Sequence, residues 1–305
     1  MVSSVLDFFL EIIKIGIGYT TVFLLASLGD IYAEKSGIPN LSLEGVMGMG
    51  AFLGFYFALI FQNSYMGLLG GILAGAVMGV ALSYLVIDLA INQVLAGLSM
   101  WLVGMGLSDF LYTLSFSHYP YLVTAPKLPT YFVSSNLIVS VLLNHTLVDY
   151  AAFLSVPLLW FFLFKTKYGL MIIAVGEDPK AADAVGTNVR MVRYATLIFS
   201  STMGGIAGSL IALTVGLYQV GMIAGRGWIS IGIANFSGFN PAYGLLASLL
   251  FGVISALGPS FMVIGYKIPY EFLNMTPFLA LIIAVMIVAK KAIFPASHGQ
   301  PYKRE

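Results

Sequence analysis

Long apolar runs, almost free of charge, recur along the whole chain, and they constrain its backbone more than any other feature of the sequence. In hydrocarbon no water satisfies backbone N–H and C=O groups, so a spanning segment must be a helix or part of a closed barrel. A helical span needs about 20 mostly apolar residues. Runs at roughly 12–32, 45–62, 67–90, 92–114, 148–164, 195–217, 222–238, 241–260 and 274–292 approach that length. They are continuously apolar rather than alternating, which excludes barrel strands. The expected fold class is therefore all-α: a polytopic transmembrane helix bundle of about nine spans (eight to ten), forming one domain over residues 1–305.

Composition agrees with a lipid solvent. Of the 305 residues, 59% are hydrophobic and 9% charged, against about 25% charged in soluble domains. The net charge of +1 gives no electrostatic reason for a nucleic-acid partner. With no cysteine, disulfides, thiolate metal sites and a Cys nucleophile are excluded. The start, MVSSVLDFFLEIIK, places Asp7 and Glu11 where a cleavable signal would be basic and then apolar, so the first span is expected to stay in the protein.

Sidedness follows from Lys and Arg in short loops. Loop 165–194 holds Lys165, Lys167, Lys180, Arg190 and Arg193, and the tail holds Lys290, Lys291, Lys303 and Arg304. Both are expected in the cytoplasm of a multi-pass protein of the cell membrane. Loop 115–147, with Lys127 its one cation, is expected outside, which puts Lys35 inside and the N-terminus outside. Gly71, Gly75 and Gly79 repeat every four residues, as do Gly50 with Gly54 and Gly204 with Gly208. That spacing suits close helix contact in lipid.

No catalytic constellation stands out. His118, His145 and His298 lie in loops or the tail, without a metal-type partner, so no cofactor or metal is expected. Asp88 and Asp109 lie near helix ends on opposite sides, an interfacial pair rather than a dyad. Three polar breaks remain. The first, AEKSGIPNLSLEG at 33–45, sets Asn40 and Glu44 four residues apart, on one face of a helix. Its Pro and Gly stop regular helix, leaving backbone that is tolerated only inside protein or beside a wet cavity. A gate and an ordinary capped loop both remain open for it. The second is Asn92–Gln93, a candidate solute contact or a short turn. The third, GMIAGRGWISIGIANFSGFNP, places Arg226 between two glycines. An arginine at membrane depth usually faces a cavity or partner, although snorkelling to headgroups accounts for it too.

The cytoplasmic loop carries the most specific signal. Asp178 suits an N-cap, Pro179 the first helical position and Gly186 the stop. The predicted short helix presents Ala181, Ala182 and Val185 on one side, flanked by Glu177, Lys180 and Asp183. A small-faced helix at a membrane surface fits a groove on a soluble partner, and the chain has no nucleotide-binding motif of its own. A plain connecting loop is the alternative.

GDIYAEKSGIPNLSLEG, NQVLAGLSM, TKYGLMIIAVGEDPKAADAVGTNVRMVRY and AGRGWISIGIANFSGFNP occur in this order. Over roughly residues 28–260 the chain thereby resembles permeases of the ribose and nucleoside branch of ABC importers, most of all the shorter permease of nucleoside systems with basic-membrane-protein-type receptors. The resemblance implies that 177–186 is the coupling helix on an ATP-binding cassette ATPase subunit. It also implies a second permease subunit, often making a heterodimer, and an extracytoplasmic solute-binding protein. The expected function is inward translocation of a nucleoside or simple sugar, with ATP hydrolysed by the partner and no enzymatic activity in this chain. An ion-coupled secondary transporter or channel is the competing class. It would want charged groups at mid-membrane, which are scarce here.

Overall fold

The computed structural model describes residues 5–118, 121–132, 134, 136–264, 269–288 and 294–302. Among these the protein is helical, without strands beyond one isolated bridge between Thr130 and Thr146.

Helix α1 (Val5–Lys35) ends at the first polar break, and α2 (Leu43–Phe61) begins beyond it. Next come α3 (Ser64–Ser83), which runs on as one wide turn at Tyr84–Asp88, and α4 (Gln93–Phe116). After the long loop with its short α5 (Leu137–Leu143) stands α6 (Leu147–Lys165), followed by α7 (Lys167–Glu177) and α8 (Pro179–Ala184). The chain closes with α9 (Val189–Val215), α10 (Arg226–Phe236), α11 (Pro241–Ile264) and α12 (Tyr270–Val288).

Seven helices of the described residues are long and apolar enough to cross a membrane, fewer than the nine expected. The run at 222–238 is the main difference. Its helix has 11 residues, about 17 Å at 1.5 Å per residue, roughly half the hydrocarbon thickness. It starts late because Gly221, Ala224 and Gly225 all hold positive φ (72°, 50° and 80°), which keeps the preceding residues in turns. The last expected span falls within α12, whose apolar part is Met275–Met286; residues 289–292 lie outside the described ones.

Helix α9 is the hub. The glycine stripe of α3 lies along it: a Cβ on Gly75 would strike the Ser201 carbonyl and Thr202, and one on Gly79 the Ile198 and Ser201 atoms. Gly50 and Gly71 both meet Gly205, and Gly208 meets the Met47 backbone. Small residues thus let α2, α3 and α9 approach backbone to backbone, the mode expected where lipid supplies no hydrophobic drive between helices. The opposite flank of α1 packs on α11, where Gly252 fits over Thr20 and Gly16.

Candidate translocation site

The first break is not a surface loop. Ser36, Ile38, Asn40 and Ser42 have no exposed area. Gly37 adopts φ 87° to turn the chain off α1. Asn40 donates from its amide to Ser200 (3.0 Å) and Ser201 (3.2 Å) of α9, and its carbonyl accepts from the Ser42 hydroxyl at 2.7 Å. Those serines lie about 17 Å along α9 from its start, counting 1.5 Å per residue, so the break is fastened near the middle of that 27-residue helix.

Glu44 then meets the third break. Its Oε1 accepts the Gly225 N–H at 2.7 Å and its Oε2 the Gly227 N–H at 2.6 Å. These are among the first, otherwise unsatisfied donors of α10. Glu44 also stands in the first turn of α2, so the carboxylate that caps α10 lies near a second helix N-terminus, where partial positive charge favours an anion. Gly227 is required sterically, because a Cβ there would collide with the Glu44 backbone.

Arg226 lies beside this junction, half-buried. Its guanidinium donates to the Met222 (2.7 Å) and Ile223 (3.0 Å) carbonyls and lies 5.2 Å from the Tyr19 ring centroid. These contacts tie the guanidinium to the turn that precedes α10 and to the Tyr19 ring of α1. Two aromatic residues that sequence reasoning passed over complete the junction. Trp101 and Trp228 meet edge to face at 5.3 Å, and Gly45 packs directly on the Trp101 backbone. The Trp101 indole N–H is buried without a partner among the described residues. The available signal was Trp228 following Gly227 directly; nothing local marked Trp101.

Asn92 and Gln93 lie elsewhere. Asn92 is exposed and caps α4, accepting from the Val94 (3.0 Å) and Leu95 (3.2 Å) N–H groups. Gln93 is buried and donates to the Gln300 carbonyl at 3.2 Å. They form the turn and a contact to the tail, far from the Glu44 junction along α4. Asp88 and Asp109 likewise hold separate ends. Asp88 pairs with Arg190 at 2.7 Å and accepts from Tyr194, while Asp109 accepts from Tyr218 at 2.8 Å. Burial, with Asp109 beside it, pushes the Tyr218 hydroxyl well above the usual tyrosine range.

In the loop, Asp178 caps α8 through the Lys180 and Ala181 N–H groups, both at 3.0 Å, and Pro179 opens the helix. Gly186, at φ 90°, ends it, with the Thr187 N–H returning to the Ala182 carbonyl at 3.0 Å. The helix and both boundaries match the sequence reading. The docking face needs one correction. Ala182 is buried against Val175 and Val189, because it faces back onto α7 and α9. Glu177, Asp178, Lys180, Ala181, Ala184, Val185 and Gly186 are the exposed residues of 177–186, Val185 at 83%.

The comparisons agree with a membrane transporter. NupC, a nucleoside ABC transporter permease protein of Lactococcus lactis, is 30% identical over 93% of this chain and 94% of its own length. TsgC13 of Haloferax volcanii, a candidate glucose ABC transporter permease, is 35% identical over 78% of this chain and 73% of its own. Among solved structures, an inward-facing metal-chelate type ABC transporter matches with a TM-score of 0.51 at 16% identity, covering 94% of this chain and 87% of that one; at that identity it speaks to fold alone. Residues 12–289 match the family described as the branched-chain amino acid transport system, permease component, and the chain belongs to that family as an integral-membrane permease subunit of an ABC transporter.

Proposed function

We propose that this permease moves a nucleoside or simple sugar inward past the Glu44–Arg226 junction, and that residues 177–186 couple it to the ATP-hydrolysing subunit. The observation carrying the coupling is the unpartnered outer face of α8, where Ala181, Ala184 and Val185 stand exposed on a helix capped at both ends. A rigid, small-faced projection enters a groove with little conformational entropy to lose. The nucleoside permease NupC and the candidate glucose permease TsgC13 support the solute class.

The path reading rests on the meeting of two interrupted segments. Broken helices at mid-depth with half-helix N-termini turned inward are typical of solute pathways in transporters. Glu44 occupies the α10 N-terminus, and half-buried Arg226 and Trp228 flank it, offering hydrogen-bond donors and an aromatic surface to a ribose or base. A second permease subunit, identical or different, completes the pore, and an extracytoplasmic binding protein delivers the solute. Glu177, Asp178, Lys180 and Asp183 rim the docking helix, and Gly186 and Pro179 fix its ends.

The test is co-purification of ATP-hydrolysing activity with the permease from membranes holding the whole transporter. Val185→Asp should reduce it, and Lys180→Ala should change it little, since an exposed charge pair is worth about 0–1 kcal/mol. Undiminished ATPase with Val185→Asp would remove α8 from the interface.

A further inference from the structure

The tail returns to the bundle after α12 and threads between the α7–α8 loop and the end of α1. On the loop side, the Ser297 N–H and hydroxyl both donate to the Gly176 carbonyl, at 3.0 and 2.7 Å. The Ala296 N–H donates to Glu177 at 3.3 Å, and the Tyr302 hydroxyl to Asp183 at 3.1 Å. On the other side, the Gly299 N–H donates to the Gly37 carbonyl at 3.0 Å, and His298 pairs with the buried Glu34 carboxylate. Arg193 at the start of α9 is buried and donates to Ser297 Oγ and the Gln300 carbonyl, both at 3.3 Å. The Phe294 ring packs on Phe239, 5.6 Å between centroids, at the far end of α10.

One short segment therefore holds both ends of the mechanism. Its backbone touches Gly176, which opens the docking loop, and Gly37, which opens the break leading to Asn40 and Glu44. Gly176 itself lies so close to the Lys35 carbonyl that it admits no Cβ, so the two elements meet directly and the tail closes over the seam. Buried side-chain contacts on a surface tail are not needed for solubility, and polar groups buried together hold one arrangement.

We infer that residues 294–302 are a coupling strap, with Ser297 and His298 as positioning residues that make the docking loop and the α1–α2 break move as one body. The inference rests on the ATP-coupled reading of the α7–α8 loop. A push from the ATPase on α8 then reaches the Glu44 junction through Ser297 and Gly299, without a conformational change inside α1.

The experiment uses the assembled transporter in proteoliposomes, with solute delivered at saturating receptor. A chain ending at Pro295 should retain its ATPase and its basal hydrolysis. Its solute-stimulated hydrolysis and the kcat of uptake should fall by about 5- to 150-fold, the range of a typical coupling between two sites, with KM unchanged. Should that chain fail to insert, the double variant Ser297→Ala, His298→Ala carries the same expectation. Full stimulated hydrolysis and uptake in the truncated or doubly substituted transporter overturns the strap. Absence of any ATPase with the unmodified chain overturns the ATP-coupled reading and the strap with it, whereas ATPase retained with coupling unchanged overturns the strap alone.

Discussion

Glu44 and Gly227 are held together by a 2.6 Å hydrogen bond from the Gly227 N–H to the Glu44 carboxylate. They are 183 residues apart in sequence, and each lies at the edge of a separate interruption in an apolar run. The contact makes two breaks into one junction, buried within the bundle, and the predictions about transport follow from it.

Replacing Glu44 with Gln keeps the shape and removes the charge. One amide NH2 group must then face a backbone N–H, leaving a buried donor unsatisfied at a cost of about 1–3 kcal/mol. A lower thermal midpoint in detergent and slower uptake are both expected. An unchanged midpoint would show that the carboxylate is not needed to cap α10.

Arg226→Ala removes the donors to Met222 and Ile223 and the contact with Tyr19. Uptake should fall while insertion and ATPase assembly persist, and Arg226→Lys should restore only part, since Lys lacks the planar fork. Normal transport by Arg226→Ala would leave the residue with no part in the path.

The glycines give a paired test of packing. Gly75→Ala puts a methyl against the Ser201 carbonyl, and overpacking of that kind costs about 1–3 kcal/mol. Gly106→Ala meets nothing within 4 Å and removes a helix-interior glycine, which should be neutral or stabilising by up to about 1 kcal/mol. Thermal unfolding in detergent reads both. Equal effects would mean that α3 and α9 do not approach as described.

Sidedness is testable at Val185, whose 83% exposure suits labelling better than half-buried Thr187. In permease expressed without its ATPase, Val185→Cys should react with an impermeant thiol reagent in inside-out vesicles and not in intact cells, in line with the cation count of loop 165–194. Labelling from outside would reverse the topology.

The sequence discloses what depends on local chemistry. The Asp178 cap, the Pro179 start and the Gly186 stop are each set by one residue's preference, and all three stand where the pattern put them. The glycine stripe of α3 is similarly plain, because spacing of four on a helix defines a face. What depended on distant partners was hidden. Ala182 reads as a docking residue until Val175 and Val189 are seen to cover it. Asn92 reads as a polar spot and is a helix cap. The run at 222–238 has the hydropathy of a span, but its successive positive φ values confine helix to Arg226–Phe236. Hydropathy counts apolar residues and is blind to backbone turns among them. The contacts of the tail could not be read at all, since Ser297, His298 and Gly299 meet Gly176, Glu34 and Gly37 only in the folded chain.

The central claim is that ATP hydrolysis on a docked subunit, and no ion gradient, drives solute past the Glu44–Arg226 junction. The direct measurement is accumulation of radiolabelled adenosine and of ribose by proteoliposomes of the complete transporter, with ATP supplied on the side of loop 165–194. The account predicts uptake of one of these solutes that requires hydrolysable ATP and persists when ionophores collapse sodium and proton gradients. Uptake that proceeds without ATP and vanishes with the ionophores would contradict it.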